Sequence, residues 1–300
     1  LQIASELYFG LFFSELKKML NKVTTLIRLI LVHLCSLFSI VYALDPQTIM
    51  HHTINIFNVR LFTVKGKQHK GNRVAYVFNH RSFADFMIDT CVIQSKFYMI
   101  SRAMVALAFP FVILWLKFKK HVFIFHRKGN KARRDYRMEK LMSVSRHPII
   151  FYPEGTRRRK PGHRLHSGIT RKLYRWEWSI QAVYVTNKLN VLDEKTMSSS
   201  YGTRCNVFWG DVVHPQQHDT VESFIDAVNN AFRTCEHLAV NTKQFDTNDA
   251  IHTNVSQANT YINLTLTTLI MILFPKVLMW IVLLKMFMAV TIVKYARYIL

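Results

Sequence analysis

Between residues 73 and 209, short apolar, β-prone runs alternate with helix-like stretches, and this alternation constrains the fold more than any other feature of the chain. Residues 73–78, 97–100, 122–125, 148–152, 180–185 and 205–209 read as strands. Residues 82–94, 102–116, 131–145 and 220–238 read as helices, the second of them interrupted by Pro110. Strands and helices in turn predict an α/β fold, a layered sheet with flanking helices. No internal repeat and no low-complexity segment breaks the pattern.

Two hydrophobic segments flank this region. The first, residues 29–44, follows Lys17, Lys18, Lys22 and Arg28. Its sixteen residues fall short of the roughly 20 that span a bilayer. A membrane-embedded or interfacial helix, a buried soluble helix and a signal peptide ending near Val41-Tyr42-Ala43 all remain open, with length and flanks favouring the first. The second, residues 261–293, has two apolar halves separated by Pro275 and Lys276, with Lys285 inside the second half. It predicts a helical hairpin in one leaflet or a kinked spanning helix. The expected organisation is therefore an N-terminal region with a membrane-associated helix (1–60), a layered α/β domain (61–244), a polar linker (245–260) and a C-terminal hydrophobic membrane segment (261–300). The first residue is Leu1, which suits a fragment or a processed product.

Forty Lys and Arg against eighteen Asp and Glu give a net charge of +22. Such an excess attracts polyanions: nucleic acid, anionic lipid headgroups or phosphorylated substrates. Cations and aromatics form no recognisable nucleic-acid reader, and that class would leave the apolar ends unexplained. Cys35, Cys91, Cys205 and Cys235 lie far apart with no C-x-x-C pair, which argues against zinc or a disulfide framework and for a reduced compartment. The sequons at Asn254 and Asn263 are short enough to arise by chance.

Two blocks carry chemistry. His80 follows a strand, and Asp85 falls in the first turn of the next helix. That turn can bring the carboxylate to the imidazole, fix its tautomer and leave the other nitrogen to take a hydroxyl proton. The competing reading is equally concrete: Ser82-Phe83-Ala84-Asp85 is a helix start whose Asp caps backbone N–H groups. Asp89, one turn on, is a second candidate partner. In the other block, Pro153-Glu154-Gly155-Thr156-Arg157 turns sharply at the end of a strand, where open α/β sheets bind ligands. Gly155 allows close backbone approach, and Arg157 offers a planar fork for phosphate. Arg127 ends a further strand in the same way. A solvated basic loop is the alternative for both arginines.

Taken together, Asn79-His80-Arg81-Ser82-Phe83-Ala84-Asp85, Phe123-Ile124-Phe125-His126-Arg127 and Phe151-Tyr152-Pro153-Glu154-Gly155-Thr156-Arg157 resemble, in order and spacing, the three motifs of the glycerolipid acyltransferase superfamily, typified by 1-acylglycerol-3-phosphate acyltransferases. The resemblance covers roughly residues 73–238. It implies acyl transfer from acyl-CoA to the free hydroxyl of a lysophospholipid, 1-acylglycerol-3-phosphate giving phosphatidic acid being the leading case. Other lysophospholipids, glycerol-3-phosphate and transacylation are the alternatives, and a non-catalytic anionic-membrane or nucleic-acid-binding protein is the rival class. His80 would be the base and Asp85 its orienter. Arg127 and Arg157 would hold the acceptor's phosphate, and Glu154, Gly155 and Thr156 would shape its pocket. No metal and no cofactor beyond acyl-CoA as co-substrate would be needed. The partners would be the two lipids and an anionic membrane surface, with the endoplasmic reticulum as the family's usual location. Two positions depart from the pattern: His121 stands where the second motif commonly begins with glycine, and the strand Ile180-Gln181-Ala182-Val183-Tyr184 lacks the proline of a fourth motif. The 104–116 stretch could line an acyl channel or simply pack behind the sheet.

Overall fold

Val74–Phe78 is apolar and buried at all of its five positions, which only the middle of a sheet covered on both faces allows. The computed structural model describes residues 2–93, 95–102, 104–125, 130–145, 147–242, 250–251 and 257–273. In chain order, α1 (Gln2–Val41), α2 (Pro46–Ile56) and β1 (Arg60–Lys65) precede β2 (Val74–Phe78) and α3 (Asp85–Ile93). Then come β3 (Tyr98–Arg102), α4 (Met104–Ala108), α5 (Pro110–Phe118), β4 (Val122–Phe125), α6 (Lys131–Val144) and β5 (Ile149–Phe151). The chain continues through α7 (Gly168–Arg175), β6 (Ser179–Val185), α8 (Lys188–Val191), β7 (Arg204–Val213), α9 (Val221–Asn241) and α10 (Gln257–Leu273).

The seven strands form one sheet in the order β1-β7-β6-β2-β5-β3-β4. β2 through β6 run parallel, β7 is antiparallel to β6, and β1 follows β7. Alternate residues of β2 serve opposite faces, as the pleat requires. Val74, Tyr76 and Phe78 join a core with α1, α2, α3 and α5. Ala75 and Val77 join a second core with α6, α7 and α9. The α/β layered fold expected from the alternation is the fold observed.

Several element boundaries differ from the sequence reading, each for a local reason. The 102–116 helix is two helices, because Pro110 occupies the first position of α5 and Phe109 before it is non-helical. α2 was not expected, although its signal is present: Asp45 accepts the Gln47 N–H and Pro46 follows at the first helical position. β1 was likewise missed. Residues 29–41 of the 29–44 segment are the C-terminal part of the much longer α1. α10 begins inside the expected linker, because Thr260 is buried against His52 and Asn55 of α2. Residues 274–300, with Pro275, Lys276 and Lys285 of the expected hairpin, lie outside the described residues.

α1 has two faces. Val32, Cys35 and Ser36 are buried in the molecule, and Arg28 donates to Ser199 at 2.7 Å. Phe12, Phe13, Leu16, Met19, Leu20, Val23, Leu26, Ile27 and Ile30 are exposed, in a stripe at helical spacing. The 29 residues Phe12–Ile40 are long and apolar enough to cross a bilayer.

Candidate active site

The parallel register of the two central strands builds the site. Val77 of β2 lies opposite Phe151 of β5, so residues 80 and 154, three further along each strand, emerge side by side. From there the chain leaves for opposite faces: β2 runs into α3 over the first core, and β5 runs towards α7 over the second. A sheet splits open at such a point, and its carboxyl edge is where α/β folds bind ligands.

His80 Nδ1 lies 2.7 Å from Asp85 Oδ2. The same oxygen accepts the Arg81 N–H, and Oδ1 accepts the Ser82 N–H at 2.9 Å. The Asp85 carboxylate thus holds the backbone N–H groups of the turn before α3 and the histidine ring at once. With Nδ1 engaged, Nε2 is the ring nitrogen left for chemistry. Tyr152 stacks on the imidazole with centroids 4.3 Å apart and planes at 17°. Tyr152 also donates to Asp89 Oδ2 at 2.9 Å, and Lys188 Nζ sits 2.7 Å from Asp89 Oδ1 and 2.8 Å from the Asn79 carbonyl.

Burial acts on both carboxyls, with opposite outcomes. For Asp85 it favours the neutral form, but the Lys188 ammonium, the His80 ring and the Ser82 N–H together hold the carboxyl below its ordinary value. For Asp89 burial wins over Lys188, and the carboxyl is pushed up to about 7. Asp85 thus stays a charged acceptor for the imidazole N–H, the state a base-orienting carboxylate needs.

Glu154 lies behind the wall of the site. It is 1% exposed, accepts the His80 N–H at 2.6 Å and takes Arg81 Nη1 on both oxygens, at 2.6 and 2.8 Å. Arg81 is itself buried and reaches Tyr184 and Glu236. With the Arg158 N–H donated to the His80 carbonyl at 2.8 Å, these bonds staple the two loops together. Gly155 adopts φ +67°, and a Cβ there would lie 2.8 Å from the His166 ring, so glycine is needed for conformation and for space.

A cavity of about 810 Å³ opens at this edge, lined by His80, Gly155, Thr156 and Arg157. Phe83, Phe86, Met99, Ile100 and Val105 give it an apolar flank, and Lys131, Arg134 and Lys172 give it a basic one. The guanidinium of Arg157 lies 3.9 Å over the Phe83 ring. Of the 104–116 stretch, Val105 reaches this cavity, whereas Phe111, Val112, Ile113 and Leu116 pack in the core. Arg127 lies outside the described residues. Among the described residues no group of three or more His, Cys, Asp or Glu is placed to hold a metal, and the four cysteines are buried and unpaired.

The sequence reading missed Arg81, Lys188, Tyr152 and Glu194, and it left Asp89 as a rival of Asp85. Arg81 was adjacent to a flagged residue and had a visible signal, a charge inside an otherwise apolar motif. Lys188 and Glu194 come from the segment after β6, where no local pattern marks them.

Residues 61–198 match the family described as Acyltransferase. No curated protein matches the sequence. Among solved structures, the 1-acyl-sn-glycerophosphate (LPA) acyltransferase PlsC from Thermotoga maritima is similar, with a TM-score of 0.54 at 15% identity over 66% of this chain and 80% of that one. That likeness bears on the fold.

Proposed function

We propose that this chain is a member of the glycerolipid acyltransferase superfamily, a reading supported by the match of residues 61–198 to the Acyltransferase family, and that it transfers a fatty acyl group from acyl-CoA to the hydroxyl of a lysophospholipid, 1-acylglycerol-3-phosphate being the acceptor. The observation that carries this reading is the orientation of His80. Its Nδ1 is held by a buried carboxylate 2.7 Å away, and its ring lines a cavity shared with Arg157.

The acceptor hydroxyl gives its proton to His80 Nε2 as its oxygen attacks the thioester carbonyl carbon. The tetrahedral intermediate collapses, the carbon–sulfur bond breaks, and the departing thiolate takes the proton back from the imidazolium. The products are an ester and free CoA, and the base is regenerated. Asp85 stabilises the transient imidazolium. Arg157 meets the acceptor's phosphate, and the apolar flank of Phe83, Phe86 and Val105 takes acyl chain. A membrane location follows from the substrates and is supported by the exposed apolar stripe on α1, and the basic surface suits anionic headgroups. The endoplasmic reticulum is the organelle we propose.

The test is acylation by the purified full chain in mixed micelles, with labelled acyl-CoA and a panel of lysolipids, reading both product and released thiol. Product from lysophosphatidic acid with one thiol per turnover is expected, and His80→Ala should abolish it while the protein stays folded. Absence of any acylated product would sink the reading, and product without thiol release would replace acyl-CoA by a lipid donor.

A further inference from the structure

Arg157, the cation read as the phosphate contact, is not bare. Its Nε lies 2.7 Å from Glu194 Oε1, and its face covers Phe83. One edge and one face of the guanidinium are therefore taken, and the end carrying the two Nη groups is what remains for a ligand. Glu194 Oε2 is buried and has no hydrogen-bond partner among the described residues, so half of the carboxylate is uncompensated. Glu194 lines both the His80 cavity and an adjoining basic cavity of about 290 Å³. Its position is fixed by a tight turn, in which Asp193 and Ser198 exchange backbone hydrogen bonds of 2.8 and 3.2 Å. Asp193, next to it, pairs with Arg159 in the same manner. Two neighbouring carboxylates thus hold two of the cations that follow Gly155.

We propose that Glu194 is a specificity-determining residue of the acceptor subsite: it fixes the Arg157 fork and limits how much negative charge the subsite accepts. This rests on the reading of Arg157 as the phosphate contact. Near pH 7 a phosphate monoester carries about 1.5–2 negative charges and a diester roughly one. A carboxylate on the same guanidinium repels the monoester more strongly, so it narrows the preference for a bare phosphate that an unpaired arginine would give. Lipids with an esterified phosphate are kept within reach of the same site.

The experiment compares lysophosphatidic acid with lysophosphatidylglycerol of the same acyl chain, in the same micelles, for the wild-type full chain, Glu194→Gln and Arg157→Ala. Glutamine leaves an oxygen for Arg157 Nε and removes the charge. The ratio of kcat/KM for monoester over diester should rise about fivefold in Glu194→Gln, through the KM of the monoester, as expected for one charge removed at a half-screened site. Glu194→Ala removes the same charge and should move the ratio in the same direction even where it loosens the arginine. A ratio that stays constant or falls in both variants overturns the proposal. Arg157→Ala should lose activity on both acceptors. If it does not, the phosphate-contact reading falls, and this inference with it. A wild type that acylates neither lipid points instead to failure of the broader functional reading.

Discussion

Replacing Lys188 by methionine removes an ammonium that is wholly enclosed, 2.7 Å from Asp89. Asp89 would keep the Tyr152 hydroxyl at 2.9 Å but lose its cation. With lysine present, burial already pushes this carboxyl up to about 7, so without it the value rises further. A group whose folded-state pKa lies above its unfolded value binds more protons when folded, so stability falls as pH rises between the two values. In the wild type that interval runs from the ordinary 3.8 to about 7 and then closes. In the variant it stays open above 7. Each pH unit inside an open interval costs about 1.4 kcal/mol, so the stability gap should widen by about that much from pH 7 to pH 8. Asp85 also loses part of the pull that holds it low. At the alkaline end the total should approach the ~3–5 kcal/mol of a half-broken buried pair. Urea unfolding of both proteins in one detergent at pH 6, 7 and 8 measures the gap. A gap independent of pH would refute the coupling of Asp89 to Lys188. Asp89→Asn combined with Lys188→Met removes both members of the buried pair and should recover most of the loss.

Arg81→Ala should destabilise the protein by roughly 3–5 kcal/mol, because Glu154 would remain buried without its cation, and Glu154→Gln in the same chain should restore part of the loss in a thermal melt. Gly155→Ala should cost about 1–2 kcal/mol from the left-handed backbone alone, with further loss of kcat/KM as the His166 ring is displaced; an unchanged melt and unchanged kinetics would remove the close-approach argument. Leu20→Asp with Ile27→Asp places two charges on the exposed stripe of α1. Flotation with anionic vesicles should fall at least tenfold, since each Asp opposes insertion by about 2.5–3.5 kcal/mol; equal flotation would show that the stripe does not meet lipid.

The layered fold was legible because strand and helix patterns are local: β2 is apolar throughout, and α9 keeps a clean helical face behind its Thr220 cap. The His80–Asp85 contact was legible for the same reason, five residues apart across one turn. What the local pattern could not give is which of two carboxylates does which task. Asp85 and Asp89 sit one helical turn apart on α3, both buried, and either could face the imidazole by spacing alone. Their fates are decided by residues that the fold brings from elsewhere. Tyr152 arrives because β5 pairs with β2, and Lys188 arrives from 99 residues downstream of Asp89. Lys188 follows Asn187, whose φ of +58° turns the chain back towards β2 after β6. The lysine engages Asp89 and helps hold Asp85 ionised, while the His80 ring and the Ser82 N–H act on Asp85 alone and separate two residues that the sequence leaves equivalent. Glu194 belongs to the same segment and qualifies Arg157 in the same way. The motifs supply His80, Asp85 and Arg157, and the stretch after β6, outside those motifs, supplies charged side chains packed against them.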